Sequence, residues 1–159
     1  MFEYRYRYRY RYRYRYFYRV EDEYSQAVTT PGKGISAAGR AGINLGATYG
    51  YQAEELRWNL QNHLDWRSNY ESPFISVYDD EDVAFSIAEG RKEKLGREHV
   101  TVTKIDVSKV HGQVEFRELR PLAERLGVPI PEKAYHNSER EWIFLHDIPD
   151  EAVVGVVDI

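Results

Sequence analysis

The stretch SEREWIFLHDIPDEAVVGVVDI, residues 138–159, decides how the rest of the chain is read. From Glu141 it continues Trp-Ile-Phe-Leu, too apolar for a surface segment. Pro149 and Asp150 then separate it from a second β-branched run. Two such runs parted by a turn pair predict two strands, with a bulge at Gly155. Two carboxylates, Glu139 and Glu141, open the first of them. Side chains in a strand alternate with period two, so both are expected on one face. Like charges that close must be held apart, paired with a cation, or used chemically.

Working back from this stretch, residues 115–127 (EFRELRPLAERLG) read as a helix with Leu119, Leu122, Ala123 and Leu126 inward and Gly127 closing it. Pro121 fits such a helix only in its first turn. Residues 128–138 between that helix and the strand read as a loop. Residues 99–107 (HVTVTKIDV) alternate as a strand. Residues 74–78 (FISVY) form a short apolar strand, and Asp79 or Asp80 then caps a helix carrying Val83, Ala84, Ile87 and Ala88. Leu56, Leu60 and Leu64 recur at helical spacing within 52–65, with Trp58 beside them. Residues 25–50, rich in Gly, Ser, Thr and Ala, read as one long loop. Their glycines lack the Gly-Lys-Ser/Thr ending of a phosphate loop. Residues 16–20 read as the first strand. Ordered this way, the chain is a mixed α+β domain with mainly antiparallel pairing near its C-terminus.

In front of that strand, Tyr and Arg alternate from Tyr4 to Tyr16. The alternation is a strand pattern, with Tyr on one face and Arg on the other. It suits either a phosphate-binding, base-stacking arm or a low-complexity extension, and composition favours the extension. The expected division is an extension over 1–16 and one domain over 17–159. Without the repeat's six arginines the chain has 16 basic and 26 acidic residues. An acidic body of this kind argues against nucleic-acid binding by the domain itself, leaving only the Tyr-Arg arm for it.

Composition narrows the chemistry further. The chain has no cysteine, so disulfides, thiolate metal sites and a Cys nucleophile are excluded. The histidines His63, His99, His111, His136 and His146 show no metal-ligand spacing, so no metal is expected. No run approaches the roughly 18 apolar residues of a membrane span. There is no apolar signal region either, so a cytoplasmic location is the default, and delivery into another cell would leave the same sequence.

Three short segments stand out as places for chemistry: Tyr18-Arg19-Val20, Phe74-Ile75-Ser76-Val77-Tyr78, and Ser138-Glu139-Arg140-Glu141. An Arg, then a Ser on a strand, then Glu-x-Glu, in this chain order, resembles the R-S-E class of ADP-ribosyltransferases. That class includes cholera-like and clostridial toxins and arginine-specific vertebrate enzymes. The sequence is also similar to an uncharacterised group of fungal domains with a comparable Arg…Phe-Ile-Ser…Glu pattern. The likeness covers roughly residues 17–159. One departure is plain: the family's Ser-Thr-Ser reads Ser76-Val77-Tyr78 here.

The resemblance implies an ADP-ribosyltransferase-like split β-sandwich with flanking helices. It also implies NAD as co-substrate, bound around Arg19, Val20, Ser76 and Tyr78. Glu141 would stabilise the positive charge that develops on ribose as the N-glycosidic bond breaks. Ser76 would orient that carboxylate or the sugar, Arg19 would meet the phosphates, and Glu139 would activate an acceptor, which in the family implies arginine. Tyr135 would contact a protein substrate. Three functions stay open at this point: transfer to a protein acceptor, NAD hydrolysis, and a non-catalytic interaction module.

Overall fold

A computed structural model describes residues 15–159, so residues 4–14 of the Tyr-Arg repeat lie outside the described residues. Among the described residues, nine strands and four α-helices follow in chain order. They are β1 (Tyr16–Glu21), β2 (Val28–Thr30), β3 (Gly34–Ser36), α1 (Gly50–Leu64), β4 (Phe74–Tyr78), α2 (Glu81–Glu93) and β5 (Thr101–Asp106). Then come β6 (Phe116–Glu118), α3 (Leu119–Leu126), α4 (Glu132–Ser138), β7 (Glu141–Leu145), β8 (Asp147–Ile148) and β9 (Val153–Asp158). A six-stranded sheet runs β6-β7-β4-β1-β5-β9 and a three-stranded sheet runs β2-β3-β8, all pairs antiparallel.

Period-two alternation explains how the layers stack. In β1, β4 and β7 one set of side chains (Phe17, Ile75, Val77, Trp142, Phe144) meets Ala27, Ile35, Ala37 and Ile148 of the small-sheet side. Phe17 sits among Phe116, Trp142 and Phe144 with edge-on ring contacts of 5.3–5.7 Å. The opposite set faces helices. Phe74, Ile143 and Leu145 receive Leu56, Leu60 and Leu64 of α1 and Leu119, Leu122 and Leu126 of α3. Tyr18, Val20, Tyr78, Val100 and Val102 receive Ala84 and Ala88 of α2. The result is the ADP-ribosyltransferase-like mixed α+β fold that the resemblance implies.

Several local expectations need correction. The stretch 25–50 is not one loop, for it contains the β2–β3 hairpin. Strands of three residues are too short to show alternation, and they form because β8 pairs with β3 from the far end of the chain. Residues 115–118 are not helical: Phe116 pairs with Phe144 and stacks on it at 4.7 Å. The helix starts at Leu119, so Pro121 falls in the first turn, where its missing N–H costs nothing. Residues 132–138 form α4, opened by Pro131, where a loop was expected. The apolar run 141–148 is broken at His146, whose φ of 64° turns the chain out of the large sheet into the small one. The two C-terminal runs therefore do not pair with each other. β8 joins β3 and β9 joins β5.

Gly34 lets β3 and β8 approach each other within the small sheet. Its φ is +90°, and a Cβ there would lie 2.2 Å from the Ile148 carbonyl oxygen. Gly34→Ala is expected to cost about 2 kcal/mol or more in a denaturant titration, since β3 and β8 must separate to admit a methyl group. A variant as stable as wild type would show that the small sheet does not depend on this approach.

Candidate active site

The site lies where β1 and β4 part. These strands share a single bridge, Tyr18 with Tyr78, while β1 pairs with β5 along its whole length. Beyond the bridge the Arg19 side chain fills the gap. Its Nη1 donates to the Ser76 carbonyl at 3.0 Å and its Nη2 to the Ala27 carbonyl at 3.1 Å. Arg19 is buried, and burial lowers its pKa, opposed chiefly by the nearby Glu21 carboxylate. Glu21 stands 4.0 Å from Nε, too far for a hydrogen bond, and Nε is a buried donor with no partner. Two of the five guanidinium N–H groups are thus spent on backbone and three remain.

Across β4, Glu141 opens β7 opposite Tyr78. It shares a strand face with Ile143 and Leu145, the helix side of the sheet, as Ser76 does with Phe74. Only 7% of Glu141 is exposed. Burial pushes its pKa up to about 7, against the Ser76 hydroxyl bond and the Arg19 and Arg91 charges that favour the carboxylate. Ser76 also links to a residue that carries no motif of its own. His63 Nε2 is 2.7 Å from Ser76 Oγ, and Nδ1 is 2.6 Å from Ser72 Oγ. Burial, with the Arg19 charge adding to it, lowers the His63 pKa to about 4, so the ring is neutral at neutral pH.

The roles in this chain are set by proton count. Ser76 has one hydroxyl proton. When it donates to an ionised Glu141, His63 must donate from Nε2 and accept from Ser72 at Nδ1. Ser72 Oγ in turn accepts the Phe74 amide at 3.1 Å. A protonated Glu141 allows the reverse direction throughout. The line Ser72–His63–Ser76–Glu141 is therefore a hydrogen-bond chain whose polarity follows one buried acid. His63 was legible in part, because it lies seven residues beyond Leu56 and next to Leu64, on the inward side of α1.

The remaining sequence-selected residues sit differently. Glu139 is not on the strand. It is the exposed C-cap of α4, in helical conformation, so alternation does not place it beside Glu141. Between the two acids, Arg140 lies 3.5 Å from Asp79 Oδ1, and its carbonyl accepts the Asp79 amide at 2.9 Å. Trp142 Nε1 donates to the other Asp79 oxygen at 2.9 Å. Tyr78 is buried against α2, and burial with the neighbouring Glu141 raises its pKa. Val20 is a core residue of the same cluster, and its carbonyl receives Arg91 Nη1 at 3.4 Å. Tyr135 is exposed on α4, its ring 4.1 Å below the Arg120 guanidinium. Arg120 also bonds Ser138 Oγ at 2.8 Å, tying α4 to α3.

What the arrangement can do follows from these positions. A buried carboxyl, a hydroxyl aligned by a neutral imidazole, and a buried guanidinium with unused donors converge where two strands diverge. Among the described residues no helix is long and apolar enough to cross a membrane.

By structure the chain is similar to the protein chain named EcPltA, with a TM-score of 0.52 and 15% sequence identity over 90% of this chain and 74% of that one. At that identity the likeness speaks for the fold alone. No curated protein matches the sequence. The family model for DUF7587, described as a domain of unknown function, matches residues 12–159, and the chain belongs to that family.

Proposed function

We propose that the protein is an NAD-dependent mono-ADP-ribosyltransferase, with a protein arginine as the acceptor. The observation that carries this reading is the convergence of Arg19, Ser76 and Glu141 at the gap between β1 and β4, in an ADP-ribosyltransferase-like fold. NAD brings two phosphates, a ribose and a cationic nicotinamide. The unpartnered buried Nε of Arg19 and its two other free N–H groups suit an anionic ligand.

In this reading the N-glycosidic bond breaks with its electron pair leaving on nicotinamide, and the ribose becomes oxocarbenium-like. Glu141 as carboxylate stabilises that charge in a site shielded from water. Ser76 aims the carboxylate, and neutral His63 fixes the direction of the Ser76 hydroxyl. Exposed Glu139 faces the acceptor and takes the proton that a guanidinium must lose as its nitrogen attacks ribose. Tyr135, beside it on α4, contacts the acceptor protein. Val20 and Tyr78 shape the pocket wall from the core.

The test is nicotinamide release and label transfer to a guanidino acceptor, wild type beside Glu139→Gln. Transfer should fall at least tenfold in the variant while NAD hydrolysis survives, since water needs no such base. If both fall together, the division of labour between the two acids is wrong. Release without transfer to any acceptor would make the protein an NAD glycohydrolase. Absence of both NAD binding and release would leave an interaction module built on the same fold.

A further inference from the structure

The large sheet ends at β9, and among the described residues β9 has one neighbour, β5. We propose that its other edge pairs with β9 of a second copy of this chain, antiparallel about a two-fold axis at Gly155. The strand reads Val153-Val154-Gly155-Val156-Val157, a sequence that is the same in both directions. An antiparallel pairing centred on Gly155 sets valine opposite valine along the strand: Val154 faces the other copy's Val156, and the converse.

The hydrogen-bond register allows this. Ile159 donates its amide to the Val100 carbonyl at 2.9 Å. Alternation then turns Val157 and Gly155 toward β5 and Val156 away from it. Val154 is the extra residue of the irregularity at Lys104/Ile105, with no residue opposite it on β5. Alternation leaves the Val156 main-chain groups facing away from β5, and Val154, outside the β5 register, is the position the two-fold pairing sets against them. Val154, Val156 and Val157 are exposed, though they carry no charge and no proline that would blunt the edge. The first charge is Asp158, outside the palindrome. The candidate active site lies on β1, β4 and β7, at least two strands away, so the pairing leaves it open.

A single strand pair makes a small interface, so the dimer is expected to be weak, with a dissociation constant on the order of 10–100 µM. Two measurements on the full chain test it. Sedimentation velocity should show a monomer–dimer equilibrium that Val156→Lys shifts at least tenfold toward monomer, with circular dichroism unchanged because Val156 faces solvent. Second, the chain has no cysteine, and a Cβ at Gly155 meets nothing within 4 Å. Gly155→Cys places two thiols on a close, non-hydrogen-bonded pair, about 4.5 Å between Cα atoms, within disulfide range. Mild oxidation should cross-link it at least tenfold faster than Tyr49→Cys, an exposed thiol elsewhere, and adding Val156→Lys should remove the difference. A wild type that stays monomeric at several times that concentration overturns the proposal. So does a Gly155→Cys chain that cross-links no faster than the Tyr49→Cys control.

Discussion

Glu141→Gln should lose nicotinamide release by about 10²–10³-fold and yet be more stable than wild type at pH 8. The two effects have one cause. The amide keeps the shape and can still accept the Ser76 hydroxyl, but it cannot offset an oxocarbenium charge. Stability follows from proton linkage. Folding raises the Glu141 pKa from 4.5 to about 7, so between those values the native protein holds a proton that the unfolded chain has released. The wild-type fold therefore loses stability as pH rises through that window, and above it carries a cost on the order of 3 kcal/mol. The variant is free of that cost, and its advantage should be near zero below pH 4.5 and full above pH 7 in denaturant titrations. The same ionisation should govern rate, so wild-type release at limiting NAD should rise with pH through about 7. A variant less stable than wild type at pH 8 would mean that the carboxylate is fully compensated in the fold, and the buried-acid reading would fail. Such a trade of stability for activity is ordinary at sites that hold charge in place for a substrate.

What is legible in the sequence depends on the range of the interactions involved. Phe74–Tyr78, the cap at Asp80 and the leucine spacing of α1 were legible because each is encoded within a few residues. The β2–β3 hairpin was not, because three-residue strands acquire their identity from β8, more than a hundred residues away. Strand β6 was lost for the same reason: Phe116 reads as a helical residue until Phe144 is beside it. At the site, Arg19, Ser76 and Glu141 could be selected by chain order, but their relation could not. Sequence periodicity placed Glu139 with Glu141 on a strand, while the turn of α4 into β7 carries Glu139 into solvent and leaves Glu141 buried. The phosphate-facing fork expected of Arg19 is half committed to the Ser76 and Ala27 carbonyls, which depends on where β1 and β4 stop pairing. His63 has no metal spacing in the sequence, and its partners Ser72 and Ser76 meet it only across the helix–sheet interface.

His63→Phe should expose a pH dependence that the wild type conceals. Folding lowers the His63 pKa from 6.5 to about 4, so across that interval the unfolded chain binds the extra proton and stability rises with pH. Glu141 has the opposite sign, with stability falling as pH rises from 4.5 to about 7. Between about pH 4.5 and 6.5 the two slopes are equal and opposite, each about 1.36 kcal/mol per pH unit at most. In the wild type their sum is close to flat. Removing His63 leaves the Glu141 slope alone, so His63→Phe should weaken steadily from pH 4.5 to 7, by an amount on the order of 3 kcal/mol. Removing Glu141 leaves the His63 slope alone, so Glu141→Gln should weaken steadily as pH falls from 6.5 to 4. The double variant should lose both tilts, leaving only the slopes of other groups such as Asp79, whose pKa burial raises. A lost packing contact would shift each curve up or down without tilting it, so the tilt separates the ionisable pair from mere core damage. The ring also lends Ser76 its orientation. His63→Phe should therefore lower the rate of nicotinamide release by roughly 10–100-fold at saturating NAD, with little change in KM, because a free Ser76 hydroxyl no longer aims the carboxylate only where the transition state needs it. A flat stability curve in His63→Phe, or a loss confined to KM, would take His63 out of the chain that ends at Glu141.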